Sequence, residues 1–375
     1  VQIDLDAVAH NVAVLSALAG EAELCVVVKA DGYGHGAVEV ARTALDHGAT
    51  RLAVAFVEEA VPLRHAGIDA PVLVLSEPPQ DSLPEAWAMG LTPTLYHLDA
   101  VEAAAAVVPG RATWAVQVKV DTGMHRVGAT PHEAPAVVAA IDAAPRLVLE
   151  GVFTHLAVAD EPDRPETATQ LDRFEATLRA LRERGAAPGV VHAANSAGLI
   201  AHPRSRFDLV RTGIAVYGIA PSPALEHMVE LRPAMSVHAE VSHLLTVPAG
   251  DGVSYGLRHV FERETVVAVV PLGYADGVSR RLSSTGGQVL IGGRRHPIRG
   301  VVTMDQLMVE LGGPGGVEAG SVRRGDPVVL LGSQGAEEVS AQEWADRLDT
   351  IGYEVVCAMA LRLPREHVRK EQARG

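Results

Sequence analysis

Two cysteines, Cys25 and Cys357, are all that the 375 residues contain. That scarcity gives no basis for a disulfide framework or a thiolate metal site, so no metal is expected, and it fits a reducing cytoplasm. No secretory leader and no long uncharged apolar run is present, so neither export nor a membrane span is expected. An excess of positive charge is lacking as well. Against 32 basic residues stand 46 acidic ones, and a net charge of −14 argues against nucleic acid or an anionic membrane surface as a partner. Core material is plentiful, at 48% hydrophobic residues with 21% charged, and the length favours two domains over one. The chain opens abruptly on Val1-Gln2-Ile3-Asp4-Leu5-Asp6, as expected if a few leading residues are missing.

The most informative stretch is Leu24 to Gly36. Leu24 to Val28 is an unbroken apolar run, the pattern of a strand buried on both faces. Lys29 stands at its carboxyl end, and Gly32, Gly34 and Gly36 follow in alternation, so a sharp turn is expected before a helix marked by Val38, Ala41 and Leu45. A desolvated lysine amine loses its proton easily, which makes Lys29 a candidate base or Schiff-base former. It serves equally as a solvated lysine just outside the strand. The glycines give G-x-G-x-G, a poor fit to the dinucleotide fingerprint.

Strand-like runs then alternate with helical patterns for more than half the chain. After Leu24 to Val28 come Arg51 to Phe56, Val72 to Leu75, Leu91 to Leu95, Ala112 to Val120, Leu147 to Thr154, Val190 to Ala193 and Phe207 to Val210. Eight such runs with intervening helices, over a length close to the usual ~250 residues, predict an α/β fold with an eight-stranded (β/α) barrel across residues 1–232. The longest helix is read from Pro165 at its first turn and Leu171, Phe174, Leu178 and Leu181 at helical spacing. From residue 233 to 375 the texture changes. Ser236 to Val247, Val266 to Pro271, Gln288 to Ile291, Val301 to Leu311 and Pro327 to Leu331 are strand-like, with a helix over Ala341 to Leu348 and a charged tail after Pro364, which predicts a mainly β C-terminal domain. Gly312 to Gly316 lacks the lysine and hydroxyl of a phosphate loop and reads as a surface turn.

In such a barrel the site lies at the carboxyl ends of the strands, with phosphate often held after the seventh and eighth. After the seventh comes Asn195-Ser196-Ala197-Gly198, opening a helix where backbone N–H groups favour an anion. After the eighth comes Arg211-Thr212-Gly213-Ile214. Asn195-Ser196 alone reads as an ordinary helix cap. Two such loops at the two expected positions favour a phosphate site.

These segments resemble the bacterial alanine racemases. Val28-Lys29-Ala30-Asp31-Gly32-Tyr33-Gly34-His35-Gly36 is similar to that family's cofactor-lysine motif, commonly VKANAYGHG, with Asp31 and Gly32 as departures. Lys119-Val120-Asp121-Thr122-Gly123-Met124-His125-Arg126-Val127-Gly128 resembles K-x-DTGMxRxG, Ala193 to Gly198 resembles AxNSxG, and Arg211 to Ile214 resembles R-x-G-I. Thr154-His155-Leu156-Ala157, Val253-Ser254-Tyr255-Gly256, Gly273-Tyr274-Ala275-Asp276-Gly277, Val302-Thr303-Met304-Asp305-Gln306 and Thr350-Ile351-Gly352-Tyr353-Glu354 complete the series.

The resemblance implies pyridoxal phosphate (PLP) bound through Lys29, with Tyr33, Ser196, Gly213, Ile214 and Tyr353 at its phosphate and Arg211 at its pyridine nitrogen. A guanidinium does not readily give up its proton, so the ring nitrogen would stay unprotonated and the electron sink would be weak, which suits racemisation. Racemisation needs proton transfer on both faces of Cα, and the implied bases are Lys29 on the D face and Tyr255, from the partner in a head-to-tail homodimer, on the L face. Arg126 and the Met304 N–H would hold the carboxylate of alanine. Lys119, often carbamylated in the family, would orient Arg126, with His155, Asn195, Asp305 and Tyr274 in support. The implied product is D-alanine for peptidoglycan. Val301 replaces a common arginine, with an arginine instead at Arg299, and Gly352 replaces a common proline, which should loosen the loop carrying Tyr353. Taken alone, Tyr255 also fits a structural tyrosine in a turn, His155 a core histidine, and Lys119 with Arg126 a surface ion pair. A decarboxylase of the same fold class would show a cysteine motif in the β domain and a carboxylate at the pyridine nitrogen, while a PLP carrier would match the barrel alone.

Overall fold

The computed structural model describes residues 1–369. They form two units, Ala7–Arg232 and a second made of Val1–Asp6 with the chain from Pro233 onward.

The first unit is a near-closed barrel of eight parallel strands: β1 Glu23–Val27, β2 Arg51–Val54, β3 Val72–Val74, β4 Thr92–Leu95, β5 Trp114–Lys119, β6 Leu147–Phe153, β7 Val190–His192 and β8 Leu209–Thr212. Their order is β7-β6-β5-β4-β3-β2-β1-β8, so β8 returns to pair with β1. Individual bonds span the remaining seam, with the Asp208 N–H donating to the Val191 carbonyl at 3.0 Å and the Arg211 N–H to the Ala194 carbonyl at 3.0 Å. Strands covered on both faces carry no alternation, and accordingly Leu24 to Val27 in β1 and all of β3 are buried. Helices intervene, among them Ala37–Asp46, Leu98–Val107 and Glu166–Glu183, the last burying Leu171, Phe174, Leu178 and Leu181.

Residues 1–6, expected with the barrel, fall in the second unit instead. Gln2–Asp4 is a strand between Met235–Glu240, to which it is antiparallel, and Glu366–Val368, to which it is parallel. Among the described residues this sheet has ten strands, and helix Ala341–Leu348 is capped by the Ser340 hydroxyl at 3.0 Å from the Glu343 N–H. Three further expectations are adjusted. The run Ser236 to Val247 breaks into Met235–Glu240 and His243–Val247, and strand structure within Val301 to Leu311 begins only at Leu307. An unanticipated strand, Arg294–Arg299, lies between Leu307–Gly312 and Gln288–Ile291. Of the charged tail, residues 370–375 lie outside the described residues. Among the described residues no helix is long and apolar enough to cross a membrane.

Candidate active site

The chain after β1 does more than turn. Ala30, Asp31, Gly32 and Tyr33 have φ of 52°, 51°, 61° and 52°, one turn of left-handed helix directly after Lys29. Gly32 N–H bonds the Val28 carbonyl at 2.8 Å and Gly34 N–H the Ala30 carbonyl at 2.9 Å. Only glycine adopts this conformation freely, so Ala30, Asp31 and Tyr33 together cost on the order of 3–6 kcal/mol. The surroundings hold the turn in place. Glu59 accepts the Ala30 N–H at 2.7 Å on one carboxylate oxygen and the Ala55 N–H at 2.7 Å on the other, while Asp31 accepts the Ala37 N–H at 2.8 Å. Below, Tyr33 and His35 pack on Tyr217, whose hydroxyl donates to the Val27 carbonyl at 2.9 Å. A side chain at Gly32 would meet the Ala37 backbone at 3.2 Å.

Around Lys29 the other strand ends supply cations. Arg211 lies within β8, not after it, and is buried. Its guanidinium donates to His192 Nδ1 at 2.6 Å, to the carbonyls of Thr154 at 2.8 Å and Ala193 at 3.1 Å, and to His155 Nδ1 at 3.3 Å. Burial brings its pKa down to about 10, so it remains charged at neutral pH. Because Arg211 can only donate, His192 Nδ1 must accept, and its proton sits on Nε2, which donates to Gln117 Oε1 at 2.8 Å. Gln117 in turn donates to Glu150 at 2.9 Å, and Glu150 accepts from Arg51 at 2.7 Å. Burial, with Arg211 adding to it, holds both His192 and His155 well below the usual histidine range.

Lys119 ends β5, buried, with its Nζ 5.5 Å from the centre of the Phe153 ring. Burial, and then the charges of Arg211, Arg126 and Lys29, push its pKa down to about 7. Arg126 is exposed on a loop shaped by Asp121, whose carboxylate accepts the N–H groups of Gly123, Met124 and His125 at 2.9, 3.0 and 3.0 Å. Those bonds outweigh burial and hold Asp121 below the usual carboxylate range. Opposite, the Ser196 hydroxyl accepts the Gly213 N–H at 3.0 Å, and Asn195 caps the following helix through the Gly198 N–H at 2.8 Å. That helix, Ser196–Ala201, is under two turns long, so hydroxyls and close N–H groups matter more here than a dipole. A Cβ at Gly213 would lie 2.5 Å from the Tyr33 hydroxyl, so glycine is what lets Tyr33 reach this cradle.

The barrel thus brings together Lys29, Tyr33, Lys119, Arg126, His155, Asn195, Ser196, Arg211, Gly213 and Ile214. The remaining predicted residues lie in the β unit. Tyr255 sits on the two-stranded hairpin Gly252–Val253 and His259–Val260, is 73% exposed, and follows Ser254 at φ 63°. Ser254 Oγ donates to the Val301 carbonyl at 2.6 Å. Met304 and Asp305 form the tip of a tight turn closed by the Thr303 N–H on the Gln306 carbonyl at 2.9 Å. Tyr274 is exposed, and Tyr353 is half-buried on helix Gly352–Cys357. Sequence reasoning missed Glu59, His192, Gln117 and the loop-shaping role of Asp121. Only the last carries a local signal, since Asp followed by Thr-Gly is a common turn opening.

The fold is that of a barrel enzyme, with buried Lys119 and Arg211 among the side chains at its strand ends. The chain belongs to the alanine racemase family. It matches the sequence profile of the alanine racemase N-terminal domain over residues 3–221 and that of the C-terminal domain over 234–367. The alanine racemase of Thermobifida fusca is 45% identical over 368 residues, spanning 97% of this chain and 96% of the relative. That of Symbiobacterium thermophilum is 45% identical over 365 residues, spanning 97% and 95%. Among solved structures, alanine racemase from Bacillus anthracis with bound L-Ala-P superposes with a TM-score of 0.91 at 40% identity, covering 98% of this chain and 94% of that one.

Proposed function

We propose that this protein interconverts L-alanine and D-alanine with PLP at the barrel mouth, by a two-base mechanism that supplies D-alanine for peptidoglycan. One observation carries the reading: the buried cations Lys119 and Arg211 lie over the same Phe153 ring, 5.5 and 5.1 Å from its centre, with Lys29 and Arg126 at neighbouring strand ends. So dense a set of cations suits a ligand carrying both a phosphate and a carboxylate. The cradle of Tyr33, Ser196, Gly213 and Ile214 fits the phosphate, a role the family resemblance extends to Tyr353. When bound, PLP supplies an electron sink that loosens the Cα proton of an amino acid.

The residues then divide the work. Arg211, donating to two carbonyls and two imidazoles, is fixed in place and keeps its proton toward the pyridine nitrogen. Arg126 is suited to the carboxylate, and the family resemblance gives the Met304 N–H the same role. Lys119, with a pKa near 7, is partly uncharged at neutral pH, the form that adds carbon dioxide and releases a proton to give a carbamate able to orient Arg126. Lys29 exchanges the Cα proton on the D face and Tyr255 of a second copy exchanges it on the L face. His155, accepting from Arg211 on Nδ1, carries its proton on Nε2 and keeps that N–H as a donor. The high exposure of Tyr255 within its own chain supports a role completed in a homodimer.

The test is incubation with PLP and L-alanine in deuterated water. Approach to equal enantiomers with deuterium at Cα is expected. Bound PLP without exchange in either enantiomer, or release of carbon dioxide, overturns the proposal.

A further inference from the structure

In the β unit a cationic clamp, Arg362, stands behind the Met304 turn. Arg362 donates through Nε to Asp276 Oδ1 at 2.6 Å and through Nη2 to Asp276 Oδ2 at 2.9 Å. The same Nη2 reaches Asp305 Oδ1 at 2.8 Å. Asp276 is nearly buried, at 5% side-chain exposure, while Asp305 is 62% exposed at the turn tip. Asp276 also accepts the Gly273 N–H at 2.8 Å. The two turns are laced together by backbone: Tyr274 N–H donates to the Thr303 carbonyl at 2.9 Å and Ala275 N–H to the Met304 carbonyl at 3.1 Å. A Cβ at Gly273 would fall 2.3 Å from the Met304 carbonyl oxygen, so this approach requires glycine.

The charges matter because of what Met304 is proposed to meet. Asp305 follows it directly, and a carboxylate there repels the carboxylate of an incoming amino acid. With Arg362 the trio carries a net charge of −1; without it, −2. We propose that Arg362 is a positioning and charge-compensating residue for substrate binding: it anchors the Met304-Asp305 tip to the Tyr274 turn and neutralises Asp305 toward the substrate carboxylate. The inference rests on the reading that Met304 binds that carboxylate.

Backbone lacing without Arg362 still holds the two turns, so its loss should raise KM more than it lowers kcat. Steady-state racemisation of alanine by the PLP-loaded enzyme is compared for Arg362→Gln, Arg362→Lys, Asp305→Asn and the double variant R362Q/D305N, each at low and high salt. Arg362→Gln is expected to raise KM about tenfold, an electrostatic penalty of ordinary size for a partly solvated pair. That rise should shrink as salt screens the exposed Asp305. Asp305→Asn takes away the repelling carboxylate and so should lower KM, and it should recover most of the loss in the double variant, as expected when one partner's penalty arises from the other. Arg362→Lys keeps the charge without the fork and should fall between wild type and Arg362→Gln.

An unchanged KM in Arg362→Gln, or a rise that neither salt nor Asp305→Asn relieves, overturns the inference. Should Arg362→Gln fail to fold, Arg362→Lys decides on the same terms, through its salt dependence and its response to Asp305→Asn. Failure of the parent reading shows separately, as absence of racemisation in the wild-type enzyme.

Discussion

Two strained turns, one in each unit, are built on opposite plans. The left-handed turn after Lys29 is braced on every side, by Glu59, by Asp31 and by the Tyr217 ring beneath it. The turn bearing Tyr255 carries positive φ at Ser254, Gly256 and Leu257, yet its side-chain tie is the Ser254 hydroxyl, and Tyr255 and Leu257 stay exposed. Strain persists only where surroundings over-determine it. The barrel supplies those surroundings from its own chain, whereas the proposed homodimer would supply the hairpin's from a second copy.

Substitution at the hairpin should give the largest effect. Tyr255→Phe is expected to reduce racemisation by about 10²–10⁴-fold, the usual worth of a positioned acid–base group. Proton exchange at Cα of D-alanine should persist through Lys29, and NMR in deuterated water reads the two enantiomers separately. Equal loss from both would collapse the distinction between the two turns into one shared base.

The barrel side can be probed by pH. Lys119 has a folded pKa near 7, well below its unfolded value, so between pH 7 and about 10.4 the unfolded chain binds more protons and stability rises with pH. The penalty of burying Lys119 is thus fully present below pH 7 and fades above it. In carbon dioxide-free buffer Lys119→Met should exceed wild type in stability by a few kcal/mol below neutrality, with the gap closing toward alkaline pH in urea titrations. Added bicarbonate should reverse the order if a carbamate forms.

A smaller effect tests the brace itself. Glu59→Gln turns an amide NH₂ toward at least one backbone N–H and should lower stability by about 1–3 kcal/mol, with a matching fall in kcat. Unchanged values for both would mean that the Lys29 turn holds without its carboxylate. Smallest is Gly352→Pro. Gly352 opens helix Gly352–Cys357 after an extended Ile351, the position proline favours, so a gain of about 0.4–1 kcal/mol is expected by thermal unfolding.

Much of the barrel was legible because its strands are local apolar runs bounded by turn residues. What escaped was non-local. Arg294–Arg299, with three arginines, a histidine and a proline, resembles a turn, and becomes a strand only because Leu307–Gly312 and Gln288–Ile291 flank it. Arg211 reads as following its strand because the apolar run ends at Val210, yet four acceptors keep it inside. Glu59 and the chain from His192 through Gln117 to Glu150 act across 29 to 75 residues of sequence, and no local pattern announces such partners. The site residues were legible chiefly through family motifs, since a lysine or tyrosine beside glycines has ordinary readings of its own.

The strand Gln2–Asp4, fixed between Met235–Glu240 and Glu366–Val368, also carries a consequence for biosynthesis. Its first partner leaves the ribosome more than two hundred residues later, and its second more than three hundred and fifty. At the usual ~5–20 residues per second this leaves the strand waiting roughly 20–70 s for its last neighbour. The barrel can close during that interval while the β unit keeps an unpaired edge. Translation speed and chaperone supply should therefore govern the yield of the second unit more than that of the first.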